Sequence, residues 1–435
     1  MMGNRYDKYK DSGIAWIGEI PEHWKVIPHK RIMRKKKIIK EFYAGENILS
    51  LTKKGVIIRD LEAGGKMPTT FNGYQVLYPD NLLMCLFDID VTPRCVGIIK
   101  DEGLSSPAYS QFILNELGYT PFFDYLLRYM DDEKCLLHLS KNLRNSLTED
   151  DFGQIETIVP SFPEQQAIAD YLDWKCGEID ELITLQEEMI TKLQSYKQSV
   201  ITEAVTKGLD KNVPLKDSGI EWIGKIPEHW EVRRMKSIYN FGKGLSITKA
   251  DLVDKGIPVI SYGQIHSKLN IGTCIKDSLI RYVPKVFLEN NNTSLVKKGD
   301  VIFADTSEDL EGCGNCIYID RDMLLYAGYH TIIAKSISTS YNRYFSYLFQ
   351  TDCWRFQIRR MVNGVKLFSI PQKLLASADL IVPSTQEQQS IADYLDQRCS
   401  KIDEIISIKQ QKIEKLKEYK KSLIFECVTG KRKVS

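Results

Sequence analysis

The stretch DSGIAWIGEIPEHWKV, from Asp11 to Val26, returns as DSGIEWIGKIPEHWEV from Asp217 to Val232. Thirteen of the sixteen positions are identical, at an offset of 217 − 11 = 206. A second pair of segments matches downstream: EQQAIADYLDWKCGEIDELI begins at Glu164 and EQQSIADYLDQRCSKIDEII at Glu387, an offset of 387 − 164 = 223. Both run on into similar tails, LQSYKQSVITEAVTKG and LKEYKKSLIFECVTGK. A period above 200 residues excludes a solenoid, whose repeats run to about 20–50 residues. The chain carries a tandem duplication whose ends stayed fixed while the middles drifted, with 223 − 206 = 17 extra residues in the second middle. The order is therefore prologue, variable globular segment, long helix, and then the same again: 1–160, 161–209, 210–383 and 384–435.

The helix starts are legible as capping boxes. In Ser161-Phe-Pro-Glu164 and Ser384-Thr-Gln-Glu387 the serine hydroxyl can accept from the third helical residue while the glutamate reaches back. Gly208 and Gly430 suit left-handed helix ends. Between these marks apolar residues recur at threes and fours: Ile168, Leu172, Ile179, Leu182, Met189, Leu193, Tyr196 and Val200, then Ile391, Leu395, Ile402, Ile405, Leu416, Tyr419 and Leu423. That is a coiled-coil pattern. Gln186 and Lys409 interrupt it, and Gly177 costs about 1 kcal/mol in a helix interior, so a break near Cys176 is one outcome. An unbroken helix of about 45 residues spans roughly 65–70 Å. Neither helix can bury its stripe on its own globular segment over that length. The short linker DKNVPLK (Asp210–Lys216) favours antiparallel pairing of the two.

The middles, 25–160 and 231–383, read as mixed α/β. Runs such as GVIIRD, GIPVISYG and YHTIIAK alternate with turn signals. Each has a helical stretch, near Pro121–Met130 and Asn342–Met361. Lysine, arginine, asparagine and glutamine gather in the loop-like places, the types that read base edges and hold phosphates. The run HKRIMRKKKIIK (His29–Lys40) can hold a phosphate backbone or form a packed strand with a solvated face. A formal charge of +2 neither demands nor excludes a nucleic-acid partner.

No catalytic signature stands out. There is no Walker A loop and no Gly-x-Gly-x-x-Gly, and Gly242-Lys-Gly244 lacks the spacing. Cys313-Gly-Asn-Cys316 has no second pair, and structural zinc needs four ligands, so it reads as a turn with two thiols. The duplicated His23 and His229 lack a duplicated nucleophile. They read as part of a Pro-x-His-Trp plug docked on each domain. Ten cysteines, scattered singly apart from that pair, suggest a reducing compartment. With no apolar core of a signal peptide and no run near the ~20 residues of a membrane span, the expectation is a cytoplasmic protein.

The prologue DSGIxWIGxIPEHWxV, the helix start EQQxIADYLDxxCxxID and the helix end YKxSxIxExVTxG together resemble the specificity subunit of type I restriction-modification enzymes. The resemblance covers nearly the whole chain. It implies an α+β architecture: two mixed α/β target recognition domains separated by two long helices in an antiparallel coiled coil, a pseudo-two-fold internal repeat. Each recognition domain reads half of a bipartite, asymmetric target in double-stranded DNA. The subunit has no catalytic activity, metal or cofactor of its own. It assembles with two methyltransferase subunits, which bind S-adenosylmethionine, and two restriction subunits, away from any membrane. By loop position and side-chain type, the candidate DNA contacts are Lys53, Lys54, Arg94, Arg144 and Asn145 in the first domain. In the second they are Lys243, Ser246, Lys249, Tyr262, Gln264, His266, Asn363 and Lys366. The competing reading is a coiled-coil scaffold whose globular ends bind proteins without DNA specificity.

Overall fold

The computed structural model describes residues 5–62, 68–92, 94–140, 145–289, 291–337, 342–364 and 366–434. The chain forms two compact units: one takes the chain up to Glu187 together with residues from Gln410 onward, the other is Glu188–Lys409.

In the first unit Tyr9–Asp11 pairs antiparallel with Glu19–Pro21. The loop that follows delivers Trp24 to full burial. Lys25–Pro28 then pairs with Glu156–Val159, the strand that leads into the first long helix. A four-stranded antiparallel sheet runs in the order Met33–Lys36, Ser110–Leu114, Leu82–Met84, Val96–Ile98. The helix Thr120–Asp132 starts with Pro121 in its first turn, where the missing N–H costs nothing. Phe122, Phe123, Leu126, Leu127 and Met130, at helical spacing, bury one face of it in the same core as Leu82, Met84 and Phe112.

The second unit repeats this plan. Leu215–Asp217 pairs with Lys225–Pro227, Trp230 is fully buried, and Glu231–Arg234 pairs with Asp379–Val382. Its four-stranded sheet runs Tyr239–Lys243, Thr331–Ser336, Val301–Ala304, Cys316–Tyr318, the same order. This unit also has a second four-stranded sheet, of Arg281–Val283, Ile257–Ile260, Leu325–Ala327 and Leu295–Val296. The single helical stretch expected over Asn342–Met361 is two helices, Arg343–Leu348 and Asp352–Met361. Thr351 divides them: its hydroxyl accepts from Trp354 N and starts the second helix afresh.

The long helices are Phe162–Lys207 and Thr385–Val428, and Gly177 does not interrupt the first. The glycines beyond them, Gly208 and Gly430, have φ of +77° and +72°, the left-handed turn that ends a helix without a Cβ clash. In the first unit Lys420 bonds both oxygens of Asp180 at 2.7 Å. In the second, Lys197 does the same to Asp403, and Arg398 donates to the Tyr196 hydroxyl. Within each unit the start of one helix therefore lies against the end of the other. The apolar stripe is buried only in part. Ile168, Leu172, Ile179, Ile391, Leu395 and Ile402 are buried, whereas Leu182, Met189, Tyr196, Ile405 and Tyr419 are exposed. A two-helix contact covers only the narrow seam of the stripe, and the residues beside it stay in solvent.

Candidate nucleic-acid interface

The repeated prologue is an anchor. His23 Nε2 and Trp24 Nε1 both reach Glu164 Oε1, at 2.8 and 3.3 Å, while Ser161 donates to Glu164 Oε2 at 2.7 Å. In the second unit His229 and Trp230 reach Glu387 Oε1 at 2.8 and 3.1 Å, and Ser384 donates to Glu387 Oε2 at 2.8 Å. Burial alone would raise both carboxyls, but these donors outweigh it and hold them below the usual range. The two histidines thus clamp a capping glutamate, and this hydrogen-bonding explains their duplication.

In the first unit Lys53 and Lys54 stand exposed at the tip of the hairpin Leu49–Thr52/Gly55–Ile58. Arg94 donates to Asp132 at 3.0 Å and lies 3.9 Å from Asp131, so its charge is already matched. Asn145 is half-buried with φ +45°, and its backbone oxygen accepts from Ile89 N. Arg144 lies outside the described residues. The basic run at His29–Lys40 is largely engaged: Lys35 with Glu149, Lys40 with Glu46, Lys37 with Pro107 O, and Lys36 3.5 Å from the centre of the Tyr78 ring. It forms the edge strand Met33–Lys36, the packed-strand alternative.

In the second unit Lys243 and Ser246 are exposed and line one groove of about 630 Å³ with Asp305, Tyr329, His330 and Gln372. Tyr262 and His266 line a neighbouring cavity of about 490 Å³. Gln264 Oε1 is spent on the local turn, where it accepts from Ser261 N. His266 is also spent: Nε2 donates to Thr306 O at 2.8 Å, and Nδ1 faces Asn315 Nδ2 at 3.2 Å. Lys249, Asn363 and Lys366 are exposed. Asp305, Tyr329 and His330, which residue type did not single out, line the same groove as Lys243 and Ser246. The local signal was Gly-Tyr-His between two strands, a loop that turns too tightly for ordinary backbone. Among the described residues no three His, Cys, Asp or Glu side chains gather to hold a metal ion, and no helix is long and apolar enough to cross a membrane.

Residues 227–418 match the family model described as Type I restriction modification DNA specificity domain. The chain is 24% identical over 286 residues to the type I restriction enzyme MjaVIII specificity subunit of Methanocaldococcus jannaschii, a match covering 65% of this chain and 63% of that one. It is 24% identical over 318 residues to the putative MjaX specificity subunit of the same organism, covering 71% and 67%. The matched span is thus under two thirds of the first relative's own length. Among solved structures, the chain resembles one from a study of complex assembly and conformational transition of the type I R-M system, with TM-score 0.69, 13% identity and 94% and 98% coverage. It also resembles the HsdS subunit from Thermoanaerobacter tengcongensis, with TM-score 0.53, 14% identity and 94% and 98% coverage. At these identities the structural likeness speaks for the α+β fold alone.

Proposed function

We propose that this chain, similar to type I restriction-modification specificity subunits, is the non-catalytic subunit that reads a bipartite, asymmetric DNA target. The observation that carries this is the pairing of one scaffold with two unlike surfaces. Both units have the same strand order and the same prologue anchor. Their loops differ, as two different half-sites require. The recognition domains are 1–160 and 210–383, with contacts drawn from Lys53, Lys54, Asn145, Lys243, Ser246, Lys249, Tyr262, Asn363 and Lys366. The two long helices form an antiparallel coiled coil that spaces the half-sites.

Chemistry is supplied by partners. Three exposed apolar residues of the first helix have exposed apolar counterparts in the second at an offset of 223: Leu182 and Ile405, Leu185 and Ile408, Tyr196 and Tyr419. Equivalent uncovered patches suit two copies of one partner, a methyltransferase subunit that brings its own S-adenosylmethionine. Restriction subunits complete the assembly.

Mapping methylated adenines in a host carrying this chain and its partner subunits is expected to give one interrupted, non-palindromic motif. A continuous motif or a perfect palindrome would overturn the reading. Removing seven residues from the middle of each long helix shortens it by about 10 Å at 1.5 Å per residue. At 3.4 Å per base pair the gap is expected to contract by about three base pairs while both half-sequences persist. Altered half-sequences would refute the spacer role.

A further inference from the structure

His330 sits between the strands Leu325–Ala327 and Thr331–Ser336, with φ +53°. That backbone is uncommon outside glycine and persists only where its surroundings impose it. Here they do. His330 O accepts from Asp305 N at 3.2 Å, and Asp305 O accepts from Ile370 N at 2.7 Å. On the ring, Nδ1 lies 3.2 Å from Asp305 Oδ1. A carboxylate can only accept, so Nδ1 carries the hydrogen, and the neutral ring keeps Nε2 as an acceptor. Among the described residues nothing bonds Nε2, and the side chain is 57% exposed. Tyr262 and Tyr329 stand 5.5 and 6.1 Å from the ring, edge-on, and limit its swing.

Stability does not account for this arrangement. Even if the ring were charged, a histidine–carboxylate contact this exposed would contribute only about 0–1 kcal/mol, no more than the left-handed backbone costs. Nor is it a shared scaffold feature. The residue just before the corresponding strand of the first unit, Ser110–Leu114, is Tyr109, whose ring stacks on Phe87 at 6.0 Å. His266, close by, has both nitrogens engaged internally.

We infer that His330 is a base-reading residue of the second unit: oriented by Asp305, its Nε2 accepts a hydrogen bond from the exocyclic amino group of one adenine or cytosine in the major groove. Those amino groups are the major-groove donors of DNA. Lys243 and Ser246, in the same groove, face the adjoining backbone. The inference rests on the DNA-reading role proposed above.

The test uses the complex assembled with its partner subunits. Duplexes carrying the mapped target are prepared, each lacking one amino group of the second half-site (purine in place of adenine, pyrimidin-2-one in place of cytosine). The wild-type complex is expected to lose affinity on the order of 10-fold at one such position. His330→Gly keeps the backbone without strain; it should bind the intact target about 10-fold more weakly and lose nothing further at that position. Its methylation map should relax there and keep the first half-site. Asp305→Asn, which releases the ring tautomer, should weaken the same position, and it carries the test if the glycine variant does not fold. Losses that add at every position, an unaltered methylation map, or a wild-type complex indifferent to every deleted amino group would each overturn the inference. If the wild-type assembly directs no interrupted methylation at all, the DNA-reading role fails instead.

Discussion

Replacing Trp24 with alanine is expected to destabilise the first unit by about 3–5 kcal/mol, and Trp230→Ala the second by a similar amount. Both indoles are fully buried. Each meets the beginning of one long helix and the end of the other. Trp24 donates to Glu164 and lies 3.1 Å from where a Cβ on Gly430 would stand; Trp230 donates to Glu387 and lies 3.3 Å from the same point on Gly208. Truncation leaves a cavity at the joint between prologue, sheet and helices, and it strips a donor from a half-buried capping carboxylate. For units of this size the unfolding midpoint should fall by about 10 °C. A scanning calorimetry midpoint within a degree or two of wild type would show that the anchor is dispensable.

The second large effect is an acid sensitivity confined to the first unit. His29 is fully buried and stacks on Phe152 at 4.5 Å. Nδ1 donates to Phe152 O at 3.2 Å, and Nε2 finds no partner among the described residues. Burial disfavours the imidazolium and lowers the pKa to about 4 from an ordinary 6.5; the Phe152 carbonyl offsets only part of this. The unfolded chain binds the proton more readily, so stability is whole above pH 6.5 and falls as pH drops through that value toward 4. The difference in pKa corresponds to about 3 kcal/mol lost by pH 4. The second unit has Met235 at this place, also buried. His29→Met is expected to flatten the dependence of urea unfolding on pH between 6.5 and 4, with little change at pH 8. An unchanged slope would mean that His29 is not the responsible group.

Much of the architecture was legible because its causes are local or repeated. Capping boxes, terminal glycines and apolar spacing lie within a few residues of one another, and the duplication exposed them twice. The short linker favoured an antiparallel sense, and within each unit the start of one helix does lie against the end of the other. The width of the covered stripe did not follow, because exposure of Leu182 or Tyr419 depends on how close the facing helix comes. The division at Thr351 turns on one hydroxyl that propensity does not single out.

The candidate contacts mark the boundary more sharply. Residue type picked out Gln264, His266 and Arg94, each of which the fold also engages in an internal hydrogen bond. It passed over Asp305 and His330, 25 residues apart and on different strands' ends. By itself the amino-acid order determined the doubling, the two capped helices and the repeated anchor, since each rests on short-range stereochemistry or on self-similarity. Only the tertiary structure decided which polar groups are consumed and which still face solvent, because a hydrogen bond between distant residues depends on strand register and loop path, and neither is written in the neighbours of the residues it joins.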